Sequence, residues 1–123
     1  MAKMFVLLSH CLTPKQKQDA YLRLHIEDIV LIKWDAWSSI PVECADISSY
    51  IKPLKAMIRE QARAGDYILV QGDFGATIKI VQFSWDLGLI PLYATSTRKS
   101  VEKTIGDKVI TTREFEHVRY RKY

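Results

Sequence analysis

The sequence predicts an α/β fold, with a mostly parallel sheet carrying helices on both faces. Short apolar runs alternate four times with segments of helical periodicity, which is the signature of strands joined by crossover helices. The first run, residues 4–8 (Met-Phe-Val-Leu-Leu), is apolar at every position, as expected of a strand buried on both faces. Right-handed crossovers restrict the strand orders, and the result is a Rossmann-like layout.

After that first strand, Thr13-Pro14-Lys15-Gln16 spells a capping box with proline at the first helical position, so a helix begins there and runs to about Leu24. Residues 26–32 form the second strand, and residues 34–41 a connection. Ile47, Tyr50, Ile51, Leu54, Met57, Ile58 and Ala62 then recur at helical spacing, predicting a long helix closed by Gly65. Pro53 interrupts it, so a break is expected near Lys52. Residues 67–70 form the third strand. Residues 74–87 form the third helix, with Lys79, Gln82 and Asp86 on its wet side, and Gly88 closes it. Residues 89–93 form the fourth strand. Beyond Arg98, residues 100–105 and 108–120 flank Gly106-Asp107 and predict a C-terminal hairpin, with a short helix followed by a strand as the alternative.

With 123 residues, 48% of them hydrophobic, the chain suits one domain over residues 1–123. No apolar run approaches the roughly 18 residues of a membrane span, and the start lacks signal-peptide organisation, so a cytoplasmic location is expected. Cys11 and Cys44 have neither disulfide-framework nor metal-ligand spacing and read as free thiols. The net charge of +4 suits a phosphate-bearing partner without requiring one. Arg113, Arg119, Arg121 and Lys122 gather near the C-terminus, where a solvated tail is the simplest reading.

Function is expected at one sheet edge, where strand-like runs stop in Ser9-His10-Cys11, Lys33-Trp34-Asp35, Gly72-Asp73-Phe74-Gly75 and Ala94-Thr95-Ser96-Thr97-Arg98. Gly72 and Gly75 let the chain bend tightly and a ligand approach, while the following helix start offers unpaired N–H groups to an anion. If the first strand lies beside the third, the switch-point crevice is lined by Ser9, His10, Gly72 and Asp73, with residues 95–98 next door.

Familiar signatures fail. Gly72 and Gly75 make neither a dinucleotide fingerprint nor a Walker loop, and Asp73-Phe74-Gly75 stands without the rest of a kinase. The histidines lie far apart and form no metal-ligand pair, so neither metal nor other cofactor is expected. The remaining set suits phosphodiester chemistry on an RNA-like linkage, in which the substrate's own 2′-hydroxyl attacks phosphorus. Arg98 would clamp phosphate, His10 would move a proton, and Ser9, Thr95, Ser96 and Thr97 would orient oxygens. Asp73 would position a hydroxyl or an adenine amino group. Competing readings stay open: His10 as a loop hydrogen bond, Asp73 as a helix cap, and Arg98 in a surface ion pair. Trp34 and Trp37 read as core or interface anchors, and His25 and His117 as structural.

Four stretches, residues 5–13, 65–77, 88–98 and 115–123, carry a likeness across the chain. Through them the sequence resembles the small Csx-type CRISPR-associated proteins of type III systems, in the group numbered twenty; Asp-Tyr-Ile-Leu-Val-Gln-Gly-Asp-Phe-Gly at 66–75 is its most specific part. The resemblance implies a CARF-like fold and a homodimeric, metal-independent ring nuclease. Such an enzyme would linearise a cyclic oligoadenylate, in the first instance cyclic tetra-adenylate, leave a 2′,3′-cyclic phosphate, and so end type III CRISPR antiviral signalling. Carried over position by position, it implies roles for Ser9, His10, Asp73 and Arg98, with Gln71, Phe74 and residues 95–97 as ligand contacts. The alternatives are a sensor or sponge that binds the ring without cutting it and, third, a hydrolase of small nucleotides.

Overall fold

The computed structural model describes residues 1–123. Nine elements follow one another: β1 (Lys3–Leu7), α1 (Pro14–Leu24), β2 (Asp28–Leu31), a 3-10 turn (Asp35–Ser39), α2 (Lys52–Gln61), β3 (Tyr67–Val70), α3 (Phe74–Asp86), β4 (Ile90–Ile105) and β5 (Lys108–Lys122). They build a mixed α/β structure around one five-stranded sheet of order β2-β1-β3-β4-β5. β1 pairs in parallel with β2 and β3, and β3 with β4, whereas β5 returns antiparallel to β4.

Alternation along β1 divides the core in two, because successive strand side chains point to opposite faces. Met4 and Val6 pack with Ala20 of α1, Leu69, Leu92 and Tyr120. Phe5 and Leu7 pack on the other face with Leu54 and Ile58 of α2, Ile80 of α3 and Trp37. Helices therefore cover both faces. No helix is long and apolar enough to cross a membrane.

The capping box at α1 forms in full: Gln16 N–H donates to Thr13 Oγ1 at 3.2 Å and Thr13 N–H to Gln16 Oε1 at 2.9 Å. The second helix breaks near Lys52 as Pro53 predicts, and the expected helical stretch before the break does not form. It starts at Lys52, and residues 48–51 are turns that still deliver Ile51 to the core. Pro53 has no N–H to donate and its ring clashes with a carbonyl one turn back, so it is held in the first turn and the apolar spacing continues outside the helix. Gly65 is not the C-cap, which is Ala62; it takes a left-handed φ of 93° in the turn into β3.

The fourth strand also departs. It does not stop at Tyr93 but runs on to Ile105, so residues 94–98 are strand rather than a chain reversal. Beyond the sheet, β4 and β5 form a two-stranded arm turning at Gly106, whose φ is 62°. Most of its side chains are exposed, and a strand wet on both faces shows none of the apolar pattern by which strands are recognised.

Where the arm leaves the sheet, Thr95 faces Arg119 but Ser96 faces His117, so Val118 is an extra residue. This bulge resets the alternation. His117 and Tyr120, an odd number of positions apart, are consequently both buried, with ring centroids 4.8 Å apart.

The Tyr120 hydroxyl donates to the Gln16 carbonyl at 2.9 Å, and the Tyr123 hydroxyl donates to the Val70 carbonyl. Burial pushes both phenols up, helped by the Asp19 charge at Tyr120 and by Tyr93 at Tyr123. The unfolded chain releases these protons near pH 10, while the folded chain retains them. Stability is therefore full below about pH 10 and falls above it. Urea midpoints between pH 8 and 11 should decline for the parent and decline less steeply for Tyr120→Phe.

Candidate functional site

β1 and β3 are neighbours, yet the chain leaves β1 toward α1 on one face and β3 toward α3 on the other. A crevice opens beyond their carboxyl ends for that reason. Its main cavity, about 600 Å³, draws residues from five segments. The loop after β1 supplies His10 and Thr13, the first turn of α1 supplies Lys15 and Gln16, and the end of β3 supplies Gln71. Ala94 and Ser96 come from β4, and Phe115, Glu116 and His117 from β5.

Of the expected site residues, this cavity gathers His10, Gln71 and Ser96. Ser9 lines an adjoining depression of about 430 Å³ with Lys33 and Trp34, and His10 borders both. Gly72 and Phe74 face a third, about 340 Å³, with Tyr93 and Tyr123, and Gln71 is shared with it. Asp73 and Gly75 face the segment 40–47 instead. On the arm, the Thr95 hydroxyl donates to the Arg119 carbonyl at 2.9 Å, Thr97 is exposed opposite Glu116, and the Arg98 guanidinium lies 5.4 Å from the centre of the Phe115 ring. Arg98 thus stands behind a cavity wall.

In the Gly-Asp-Phe-Gly turn the helix-cap reading of Asp73 holds, and the glycines serve a purpose other than the tight bend expected. Asp73 is the N-cap of α3, its Oδ2 accepting from Ala76 N–H at 3.0 Å. A resident carboxylate makes that helix start less hospitable to another anion. Neither Gly72 nor Gly75 has positive φ. Gly72 is required because Trp37 lies against it: a Cβ there would sit 2.6 Å from the indole Nε1. That Nε1–H donates to the Gln71 carbonyl at 3.0 Å, and Trp37 is 3% exposed, so it anchors the turn from below. Trp34 is half-buried with an edge-on contact to Tyr50.

The cavity residues are oriented by short-range bonds. Ala94 N–H donates to Gln71 Oε1 at 2.9 Å, leaving the Gln71 amide N–H₂ free to donate. His10 Nδ1 lies 3.1 Å from the Cys11 carbonyl, which only accepts, so Nδ1 carries hydrogen and Nε2 stays open. Lys15 is ion-paired with Glu116, and Lys99 Nζ is 4.0 Å from the same carboxylate. The Lys15 hydrogen bond and then its charge, with that of Lys99, hold the Glu116 carboxyl below its ordinary range. The cavity's one carboxylate is thus already matched, and the start of α1 adds a partial positive charge beside it.

Sequence reasoning missed the Asp19–His117 pair. His117 Nε2 lies 2.7 Å from Asp19 Oδ2, and Arg23 Nε donates to Asp19 Oδ1 at 3.0 Å. The His117 side chain is 3% exposed, and its Nδ1 has no partner. Nothing in the linear pattern of β5 marks it, because only the bulge turns His117 inward.

A family model described as "Uncharacterized protein MJ1673 family" matches residues 2–121. The protein named "Uncharacterized protein MJ1673" from Methanocaldococcus jannaschii is 43% identical over 126 residues, covering 100% of this chain and 98% of that one. No solved structure matches. On the near-complete family match and this identity, the chain belongs to the MJ1673 family.

Proposed function

We propose that this protein is a ring nuclease that opens a cyclic oligoadenylate, in the first instance cyclic tetra-adenylate, by in-line attack of a ribose 2′-hydroxyl on the neighbouring phosphorus. One observation carries this reading: a single cavity gathers His10, Lys15, Gln71, Ser96 and His117 from distant segments beside the start of α1. An imidazole with an open nitrogen, an ammonium, amide donors and a hydroxyl are what phosphodiester transfer asks of a protein when the substrate carries its own nucleophile. Lys15 and the α1 terminus attract the phosphate, Gln71 and Ser96 orient oxygens, and His10 moves a proton. Ser9, beside His10, extends the surface along the ring, while Phe115, backed by Arg98, offers an apolar face at the opposite wall. The likeness to type III CRISPR-associated proteins points to the same substrate. We read the sheet accordingly as Rossmann-like, of CARF type, the protein as cytoplasmic, and its role as ending the signal.

A two-fold dimer would present this crevice twice to a symmetric ring. An apolar stripe on α3 suits it: Phe74, Ile78 and Trp85 recur at helical spacing and are 90%, 59% and 53% exposed. Light scattering should give a dimer, and Ile78→Asp should shift it toward monomer; a parent monomer with saturating ring would remove the two-fold reading.

The product assay decides between classes. Cyclic tetra-adenylate incubated with the protein in EDTA should yield linear fragments ending in 2′,3′-cyclic phosphate. Bound but intact ring would favour a sensor or sponge, and inorganic phosphate or mononucleotide a small-nucleotide hydrolase.

A further inference from the structure

We infer that His117, oriented by Asp19, is the group that accepts the proton of the attacking 2′-hydroxyl. The inference rests on the ring-nuclease reading and deepens it. The Asp19 carboxylate only accepts, and it already receives Arg23 Nε–H, so the short contact to His117 is an Nε2–H donated to Asp19. The tautomer is thereby fixed, and the lone pair of the neutral ring lies on Nδ1. Asp19 does for His117 what a buried carboxylate does for the histidine of a catalytic triad: it holds the ring's orientation and stabilises the imidazolium once a proton arrives.

Three observations set this pair apart from a purely structural tie. His117 is a wall residue of the candidate cavity, although its side chain is almost wholly buried. Its Nδ1 lacks any partner, a rare condition for a buried nitrogen and one that accompanies catalytic use. Ser96, another wall residue, is its directly paired cross-strand neighbour, so the two residues share one stretch of the cavity wall. The bulge at Val118 is the device that creates the arrangement, and bulges recur where a strand must re-aim a side chain at a site. Nδ1 is buried in this structure, so the wall at His117 must part as the ring seats, in line with catalytic hydrogen bonds that close only in the complex.

The step balances. The 2′-O–H bond breaks and its proton passes to His117 Nδ1, while the 2′-oxygen forms a bond to phosphorus. The P–O5′ bond breaks, and the departing 5′-oxygen takes a proton from Nε2 of His10, which enters the step as the imidazolium with Nδ1–H still on the Cys11 carbonyl. Water then returns each histidine to its starting state. The charged or titratable neighbours that bear on His117 are Asp19, Arg23 and Lys15 of α1, Glu116 and Tyr120 of β5, and His10.

Single-turnover cleavage and equilibrium binding of cyclic tetra-adenylate, measured together, test this. His117→Ala should bind the ring within a few-fold of the parent and cut it about 10²–10⁴-fold more slowly, the span of general-base catalysis. Added imidazole should restore part of that rate, which a structural role would not do. If the alanine variant fails to fold, His117→Gln puts the same question, since its amide donates to Asp19 but cannot accept a proton. A folded, ring-binding variant that cleaves at the parental rate would overturn the inference and leave the ring-nuclease reading standing. A parent protein that leaves the ring intact would overturn both.

Discussion

Trp37→Ala is expected to destabilise the protein by about 3–5 kcal/mol, the range for deleting a large buried aromatic. The indole is 3% exposed, packs with Phe5, Leu7 and Val70, and holds the Gln71 carbonyl just before the Gly72-Asp73 turn. Its loss both opens a cavity and releases the turn that carries Gln71 to the site. The converse substitution acts through the same contact. Gly72→Ala would force a methyl to within 2.6–2.9 Å of three indole atoms, and overpacking of this kind costs about 1–3 kcal/mol. Gly75→Ala should be tolerated, because the nearest atoms would lie at 3.5 and 4.0 Å. Urea denaturation reads all three. In the double variant Trp37→Ala with Gly72→Ala, the alanine at 72 should cost much less than it does alone, since its obstacle is gone. Equal costs in both backgrounds would mean that Trp37 is not what demands glycine at 72.

This contact illustrates what a linear reading sees and what it cannot. The glycine at 72 is visible as a break between strand and helix, but the reason for it lies 35 positions away in a tryptophan that one sequence cannot place. Elements whose signals are local were legible: the all-apolar β1, the Thr13 capping box, and the Tyr67–Val70 strand leading to α3. The break near Lys52 was legible from Pro53, but the helical spacing of Ile47, Tyr50 and Ile51 misled, because it persists through non-helical chain that faces the same core. The hairpin around Gly106-Asp107 was legible, but the end of the fourth strand was not, because the polar run 95–98 looks identical whether a strand ends or continues. Parallel pairing does bring the ends of β1 and β3 together, but His10 shares its cavity with Gln71, while Ser9, Gly72 and Asp73, which the switch-point reading placed beside it, line other depressions. Asp73 turned toward its own helix and Arg98 toward Phe115, outcomes set by rotamers and register. Asp19 and His117 were invisible as a pair, since one bulged residue decides which way His117 points.

His10→Ala carries the second large expected effect. His10 is exposed on the cavity rim, and its backbone-fixed Nδ1 leaves Nε2 open to the ligand. The variant should fold normally, keep ring affinity within a few-fold and lose about 10²–10⁴ in cleavage rate, because a proton-transfer group acts in the transition state. Parallel losses of affinity and rate would recast His10 as a uniform binding contact. Asp73→Ala is expected to behave differently, costing about 1 kcal/mol of stability through the lost helix cap.

The most direct test of the whole account is a time course with cyclic tetra-adenylate in excess over the protein, counting rings opened per chain. The account predicts many turnovers, with His10→Ala nearly silent in the same experiment. Quantitative recovery of the intact ring from the parent protein would contradict it.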